Sequence, residues 1–158
     1  MNWKQIKPYL IGILGVEAVG FLASILSRQG TMDFGQLAIQ PTLTPPQWVF
    51  PVVWSILYAL MGISMVRIWQ SPPSQARSTG LNLFVVQLIL NFFWPLIYFN
   101  AQAYGLALIW ILLLWAAVLA MILEFLKTDP LAAWLQVPYL IWLTFATYLN
   151  FGVWQLNR

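Results

Sequence analysis

The stretch AYGLALIWILLLWAAVLAMILEFL, residues 103–126, decides the fold. It carries a single charged side chain, Glu124. A helix rises about 1.5 Å per residue, so the stretch is long enough to cross a hydrocarbon core about 30 Å thick. Inside that core each backbone polar group needs a partner within its own segment, which favours a helix. The stretch therefore predicts a transmembrane helix.

Four further segments share this character. Each is mostly apolar, comes close to the roughly 20 residues that a span requires, and is bounded by polar or Pro-containing residues. None alternates polar and apolar residues with period two, as the strands of a membrane barrel do. We therefore expect an all-α integral membrane bundle of five transmembrane helices, in a single domain over residues 1–158. The predicted spans are 9–27, 48–69, 81–99, 103–126 and 131–156.

Composition agrees with a membrane location and excludes several kinds of site. Charged residues make up 7% of the chain, against about 25% in soluble domains. The net charge of +3 is scattered, so nucleic acid is not an expected partner. The chain has no His and no Cys. Their absence excludes histidine-based nucleophilic catalysis, zinc sites, histidine-ligated haem and disulfides.

Basic residues predict the orientation, because Lys and Arg near span ends favour the cytoplasmic side. We expect the N-terminus to be cytoplasmic. The first loop, 28–47, and the C-terminus then lie on the opposite side. The predicted cytoplasmic side carries Lys4, Lys7, Arg67, Arg77 and Lys127, and the other side carries Arg28 and Arg158.

Polar residues within the spans are candidates for function, because they are costly in lipid. Glu17 is the one acid well inside a span. It is either a proton or ligand site, or a carboxyl bonded to a neighbouring helix. Gln87 and Asn91 lie four residues apart on one helical face, which we expect to point into the bundle. They either bond to another helix or contact a ligand.

Large aromatic residues accompany these amides. Trp54 and Tyr58 share one face of the second span, and Trp94 continues the face of Asn91. Such a grouping suits a flat, mostly apolar ligand, although Trp and Tyr also form belts at membrane interfaces. Trp3, Trp48, Trp69 and Trp154 lie near segment ends and are expected in the belts. The fifth span repeats the grouping with Tyr139, Trp142, Ala146 and Asn150.

Four motifs in sequence order resemble the TspO/MBR family, the bacterial relatives of the mitochondrial translocator protein. PPQWVFPVVW at 45–54 is followed by LNFFWP at 90–95. VPYLIW at 137–142 and FATYLN at 145–150 resemble the family's fifth-helix motif. The blocks extend over nearly the whole chain, and their combination is specific.

The resemblance implies a five-helix bundle that binds tetrapyrroles such as protoporphyrin IX, acts as a receptor or sensor in tetrapyrrole handling and stress response, and forms homodimers. It requires no cofactor. Two alternatives stay open: light-dependent porphyrin degradation, in which Trp54 and Trp142 would be the catalytic residues, and transport of a porphyrin or sterol. Spacing and resemblance together give the ligand-binding candidates Trp54, Tyr58, Gln87, Asn91, Trp94, Tyr139, Trp142, Ala146 and Asn150.

Two departures from the family pattern concern the first loop and sterols. The family often has a Trp before its Pro-Pro pair where this chain has Leu43. This change weakens the expected lid over the ligand. The sterol motif needs a basic residue within about five positions of an aromatic one. After Tyr148 the next basic residue is Arg158, so cholesterol recognition of the animal type is not expected.

Overall fold

The computed structural model describes residues 2–158, and helices account for most of this range. A π-helical segment, Leu96–Asn100, continues the fourth helix beyond Pro95. No strand occurs within residues 2–158. The α-helices are α1 Trp3–Leu26, α2 Arg28–Leu37, α3 Val49–Trp69, α4 Gln75–Pro95, α5 Tyr104–Leu126 and α6 Pro130–Leu156.

Two helices begin before the apolar segments that predicted them. The helix α1 starts at Trp3, where Asn2 and Gln5 form a capping box. The helix α4 starts at Gln75, where the Ser74 hydroxyl accepts from the backbone N–H of Arg77 at 3.0 Å. Capping satisfies the free N–H groups of the first turn, so the helix extends into polar sequence that hydropathy does not detect.

The expected first loop contains a helix. The segment 28–47 was expected to be a loop, but α2 occupies its first half. Phe34 of α2 packs against the rings of Tyr98, Phe99 and Tyr104, at centroid distances of 5.2, 5.2 and 6.1 Å. The glycines of α2 disfavour a helix locally, and this packing against residues far along the chain stabilises it.

The five long helices form a ring in the order α1, α3, α6, α5, α4. Neighbours in the ring are antiparallel, except that α4 returns beside α1 in the same direction. The contact between α1 and α3 is very close, because a Cβ atom on Gly62 would lie 2.7 Å from the backbone of Ile13. Small residues at such a crossing let helices pack closely within lipid.

Four of the helices are long and apolar enough to cross a membrane: α1, α3, α4 with its π-helical continuation, and α5. The helix α6 has 27 residues but does not reach the same hydropathy. Its apolar residues are diluted by polar ones such as Gln136, Thr144, Thr147 and Asn150. Length and hydropathy therefore support four of the five expected spans, and the fifth, α6, is not confirmed.

The two ends of the ring differ in charge. The end where α3 leads to α4 and α5 leads to α6 carries Arg67, whose Nε lies 2.8 Å from Asp129 Oδ2. Arg77 donates to the carbonyls of Ile68 and Trp69 at 3.2 and 2.7 Å, which caps the C-terminus of α3. We call this the basic end, since Lys4, Lys7 and Lys127 also lie in the segments that meet there.

Candidate ligand-binding site

A chain of hydrogen bonds crosses the centre of the ring. The Tyr58 hydroxyl donates to Asn91 Oδ1 at 2.9 Å, and Asn91 Nδ2 donates to the Tyr139 oxygen at 2.7 Å. The Tyr139 hydroxyl in turn donates to Gln87 Oε1 at 2.7 Å. We call these four residues the central network. It joins α3, α4 and α6 through side chains alone.

Three of the four residues of the central network are buried, and Tyr58 is half buried. Gln87 is 0% exposed, Tyr139 1% and Asn91 6%. The two amides therefore point into the bundle, as their four-residue spacing predicted. Both bond to side chains on other helices, which is the interhelical role weighed for them from the sequence. One amide group, Gln87 Nε2, has no hydrogen-bond partner.

Trp54 lies one turn from Tyr58 and lines the same part of the interior. Its ring is 5.4 Å from the Tyr58 ring and 6.1 Å from the Tyr139 ring, centroid to centroid. The contact with Tyr139 is edge to face, an arrangement that aromatic pairs favour. Trp54 thus covers the central network on the α3 side.

A second pair of candidates lies toward the other end of the ring. Trp94 Nε1 donates to Asn150 Oδ1 at 3.1 Å, and Asn150 Nδ2 donates to the carbonyl of Tyr104 at 2.9 Å. The Trp94 ring also stacks on Tyr98 at 4.5 Å. These bonds tie α4, α5 and α6 together. Ala146, one turn before Asn150 on α6, is buried in the apolar core.

Trp142 belongs to a groove between α3 and α6. The groove has a volume of about 440 Å³, and Ile141 on its rim is exposed, so it opens toward the outside of the bundle. Trp142 packs against Phe50 and Phe145, at centroid distances of 5.8 and 5.6 Å. The groove is lined by Val53, Leu57, Pro138, Ile141, Trp142 and Phe145.

The indole N–H of Trp142 is buried and has no hydrogen-bond acceptor. Buried Trp N–H groups usually find a partner, because leaving a donor unpaired costs free energy. Trp142 therefore combines a ring that lines the groove with a buried donor that lacks a partner within the bundle.

Residues 38–48, between α2 and α3, lie against the C-terminal part of α6. The Asn157 side chain accepts from the Ile39 N–H at 2.9 Å and donates to the Ile39 carbonyl at 2.7 Å. The Tyr148 hydroxyl donates to the carbonyl of Thr42 at 2.9 Å. Leu43, where the family pattern has Trp, is 78% exposed and has a φ of 72°. The segment is therefore bonded to α6 at Ile39 and at Thr42, and the Leu43 side chain is exposed.

The structure separates the sequence candidates into three groups. Trp54 packs against the central network, Trp94 bonds to Asn150, and Trp142 lines the groove. Of the four expected belt tryptophans, Trp154 is half buried and the others are exposed. Glu17 is half buried on α1, and its carboxylate makes no ion pair with the residues at positions 2–158.

Sequence reasoning missed most of the groove and one buried amide. Leu57, Ile141 and Phe145 are ordinary apolar residues, and only their shared face on facing helices identifies them. Gln136, one turn before Tyr139, is 0% exposed, and neither of its amide atoms has a partner. Gln136 is a polar residue within the predicted fifth span, so the property that distinguishes Gln87 in the third span also distinguishes Gln136.

The residues present offer aromatic faces and amides rather than acid–base or metal chemistry. Within positions 2–158 no group of three potential metal ligands comes together. The arrangement can hold a flat apolar molecule through ring contacts and orient it by N–H donors.

Comparison with known proteins gives a family match over most of the chain. The model of the TspO/MBR family matches residues 12–155. The tryptophan-rich protein TspO of Chlorobaculum tepidum is 35% identical, over 98% of this chain and 98% of the relative. The translocator protein of Homo sapiens is 39% identical over 75% of this chain and 72% of its own length. The tryptophan-rich sensory protein of Cereibacter sphaeroides is 37% identical over 75% and 73%.

Proposed function

Since this chain belongs to the TspO/MBR family and is an integral membrane protein, we propose that it is a membrane receptor or sensor that binds a tetrapyrrole such as protoporphyrin IX. The name of the Cereibacter sphaeroides relative, a tryptophan-rich sensory protein, supports a sensory role. The resemblance of the motifs around Trp54 and Trp142 supports the ligand class.

The groove beside Trp142 is the observation that carries this proposal. Its volume of about 440 Å³ lies in the range of roughly 300–1,000 Å³ for small-molecule sites. Its lining is aromatic and aliphatic, so it offers ring and methyl contacts to a flat apolar ligand. Because the groove opens outward, a flat apolar ligand dissolved in the bilayer reaches it sideways, without crossing the central network.

The proposed topology has five spans, with α6 as the fifth. Its polar residues Gln136 and Asn150 are buried within the ring, where they do not meet lipid. The basic end then faces the cytoplasm, because Lys and Arg accumulate on that side. This orientation places the N-terminus inside and residues 38–48 outside.

Quenching of tryptophan fluorescence by protoporphyrin IX tests the proposal. Purified protein in lipid nanodiscs is titrated with the porphyrin, and empty nanodiscs with free tryptophan serve as the control for partitioning and inner-filter effects. We expect saturable quenching at micromolar porphyrin. Quenching that rises linearly with porphyrin, as in the control, overturns the proposal.

A second candidate function is light-dependent degradation of the bound porphyrin. The observation that favours it is that the two tryptophans of the family's photochemistry, Trp54 and Trp142, stand on facing helices α3 and α6. Illumination of the complex should then bleach the porphyrin absorbance faster in wild type than in Trp142→Phe. Equal decay at equal occupancy excludes this activity and leaves the binding function in place.

We also propose a homodimer that contacts through α5. Ala116 is exposed on the outer face of α5 and Ala120 follows one turn later, and small residues at this spacing allow close helix contact in lipid. The natural chain has no Cys, so Ala116→Cys adds a unique thiol. Oxidation should give a disulfide-linked dimer, whereas Leu126→Cys, an exposed position about 80° around the helix from Ala116, should give little.

A further inference from the structure

Three polar atoms in the core of the ring have no partner, and they belong to two glutamines. Gln87 Nε2, Gln136 Nε2 and Gln136 Oε1 all lack a hydrogen bond. Both side chains are 0% exposed. Neither lipid nor apolar side chains can satisfy these groups, and an unpaired polar atom in such a place costs as much as a lost hydrogen bond.

The two glutamines each lie one helical turn before a residue of the Asn91–Tyr139 hydrogen bond. The helices α4 and α6 both start at the basic end and run in the same direction. Gln87 is one turn before Asn91, and Gln136 is one turn before Tyr139, while Asn91 and Tyr139 are bonded at 2.7 Å. Side chains on a helix lean toward its N-terminus, so both amides lie on the basic-end side of that bond.

The unpaired atoms match the bonding capacity of one water molecule. They are two N–H donors and one carbonyl acceptor. The Nε2 and Oε1 atoms of one amide share an edge, so a water can accept from the first and donate to the second. Accepting also from Gln87 Nε2 gives that water three hydrogen bonds, the usual number for buried water.

We propose that Gln87 and Gln136 form a buried site for a single water molecule on the basic-end side of the Asn91–Tyr139 bond. A direct bond from Gln87 Nε2 to Gln136 Oε1 would leave Gln136 Nε2 unpaired, whereas the water satisfies all three atoms. The water links α6 back to α4 through Gln87, whose Oε1 already accepts from Tyr139. The site uses no residue of the groove, so it does not depend on the proposed function.

Radiolytic labelling of the full chain in nanodiscs tests the site directly. An X-ray pulse converts bound water to hydroxyl radical, which oxidises the side chains beside it. Tyr139 is 1% exposed, so bulk water does not reach it. We expect Tyr139 to be oxidised in wild type and at least threefold less in Gln136→Leu. The matched control is Gln155→Leu, which replaces an exposed glutamine of the same helix and should leave Tyr139 labelling unchanged. Equal labelling in wild type and Gln136→Leu overturns the site.

A double-mutant cycle in thermal unfolding supplies the second measurement. If the amides are dry and independent, Gln136→Leu removes unpaired polar groups and raises Tm, which contradicts the proposal. If a water joins them, Gln136→Leu lowers Tm, and the effect shrinks in a Gln87→Leu background. Coupling without Tyr139 labelling indicates a direct amide contact and also overturns the water site. Should Gln136→Leu fail to fold, Gln136→Asn, which withdraws the amide by one methylene, should lower Tyr139 labelling in the same way.

Discussion

Asn91 and Tyr139 meet across the interior of the ring, where Asn91 Nδ2 donates to the Tyr139 oxygen at 2.7 Å. The same Tyr139 hydroxyl donates to Gln87 Oε1 at 2.7 Å, so this one oxygen connects both amides of α4 to α6. In a bundle held in lipid, where apolar burial does not drive helices together, such bonds act with close packing to select which helices face each other.

Replacement of Tyr139 by Phe removes that oxygen and leaves two amide groups without partners. We expect Tyr139→Phe to lower the stability by about 1–2 kcal/mol, the range for leaving buried polar groups unpaired within a membrane bundle. Thermal unfolding in detergent measures it. Tyr148→Phe, which removes an exposed hydroxyl bonded to the Thr42 carbonyl, should shift Tm much less. An equal decrease in Tm for both variants would contradict the proposal that the central network stabilises the bundle.

The crossing of α1 and α3 predicts opposite outcomes for two glycines. A Cβ atom on Gly62 would lie 2.7 Å from the backbone of Ile13, whereas a Cβ atom on Gly15 meets nothing within 4 Å. Gly62→Ala should push the helices apart and destabilise the protein by more than about 1 kcal/mol. Gly15→Ala should be neutral or stabilise by up to about 1 kcal/mol, because Ala favours the helix. Unfolding measured side by side checks the contrast, and a loss of stability in both would contradict the close crossing.

The sequence predicts where the amides of α4 point, but it does not predict which residues they bond to. The interior position of Gln87 and Asn91 follows from two amides at four-residue spacing in an apolar segment, because lipid would leave them unpaired. The identity of their partner, Tyr139, does not follow, since it depends on how α6 turns against α4. Their spacing alone left the choice between helix contact and ligand contact open.

The helix α2 and the groove could not be predicted from local sequence patterns, because both depend on contacts between distant parts of the chain. Phe34 stabilises α2 through rings more than sixty positions later in the chain, and no feature of the residues 28–37 reports that contact. Trp142 was expected beside Ala146 and Asn150 on one helical face. The structure instead places Trp142 in the groove with α3, because a four-residue step advances the helix by more than one turn and the face drifts around α6.

The bonds between Asn157 and Ile39 predict local protection from hydrogen exchange. The Ile39 N–H donates to Asn157 Oδ1 at 2.9 Å. Asn157→Ala removes this acceptor, so the Ile39 amide should exchange at least tenfold faster, a loss of about 1.4 kcal/mol in local stability. Hydrogen exchange followed by mass spectrometry of peptides covering residues 38–48 measures it. Gln155→Ala, a change at an exposed position two residues before Asn157, should leave the exchange unaltered. An unaltered exchange rate in Asn157→Ala would contradict a stabilising role for the Asn157–Ile39 bonds.

If the groove beside Trp142 binds the porphyrin, variants of Trp142 and Trp154 should differ in their affinity for it. Trp142→Ala removes the groove wall and its unpaired N–H, whereas Trp154→Ala removes a half-buried ring near the end of α6 that lies under Arg158. The affinity for protoporphyrin IX is measured in nanodiscs from the change in porphyrin absorbance, which does not depend on the number of tryptophans. We predict that Trp142→Ala raises Kd at least tenfold, or about 1.4 kcal/mol, and that Trp154→Ala changes it less than threefold. Equal Kd values for the two variants would contradict the placement of the ligand at Trp142.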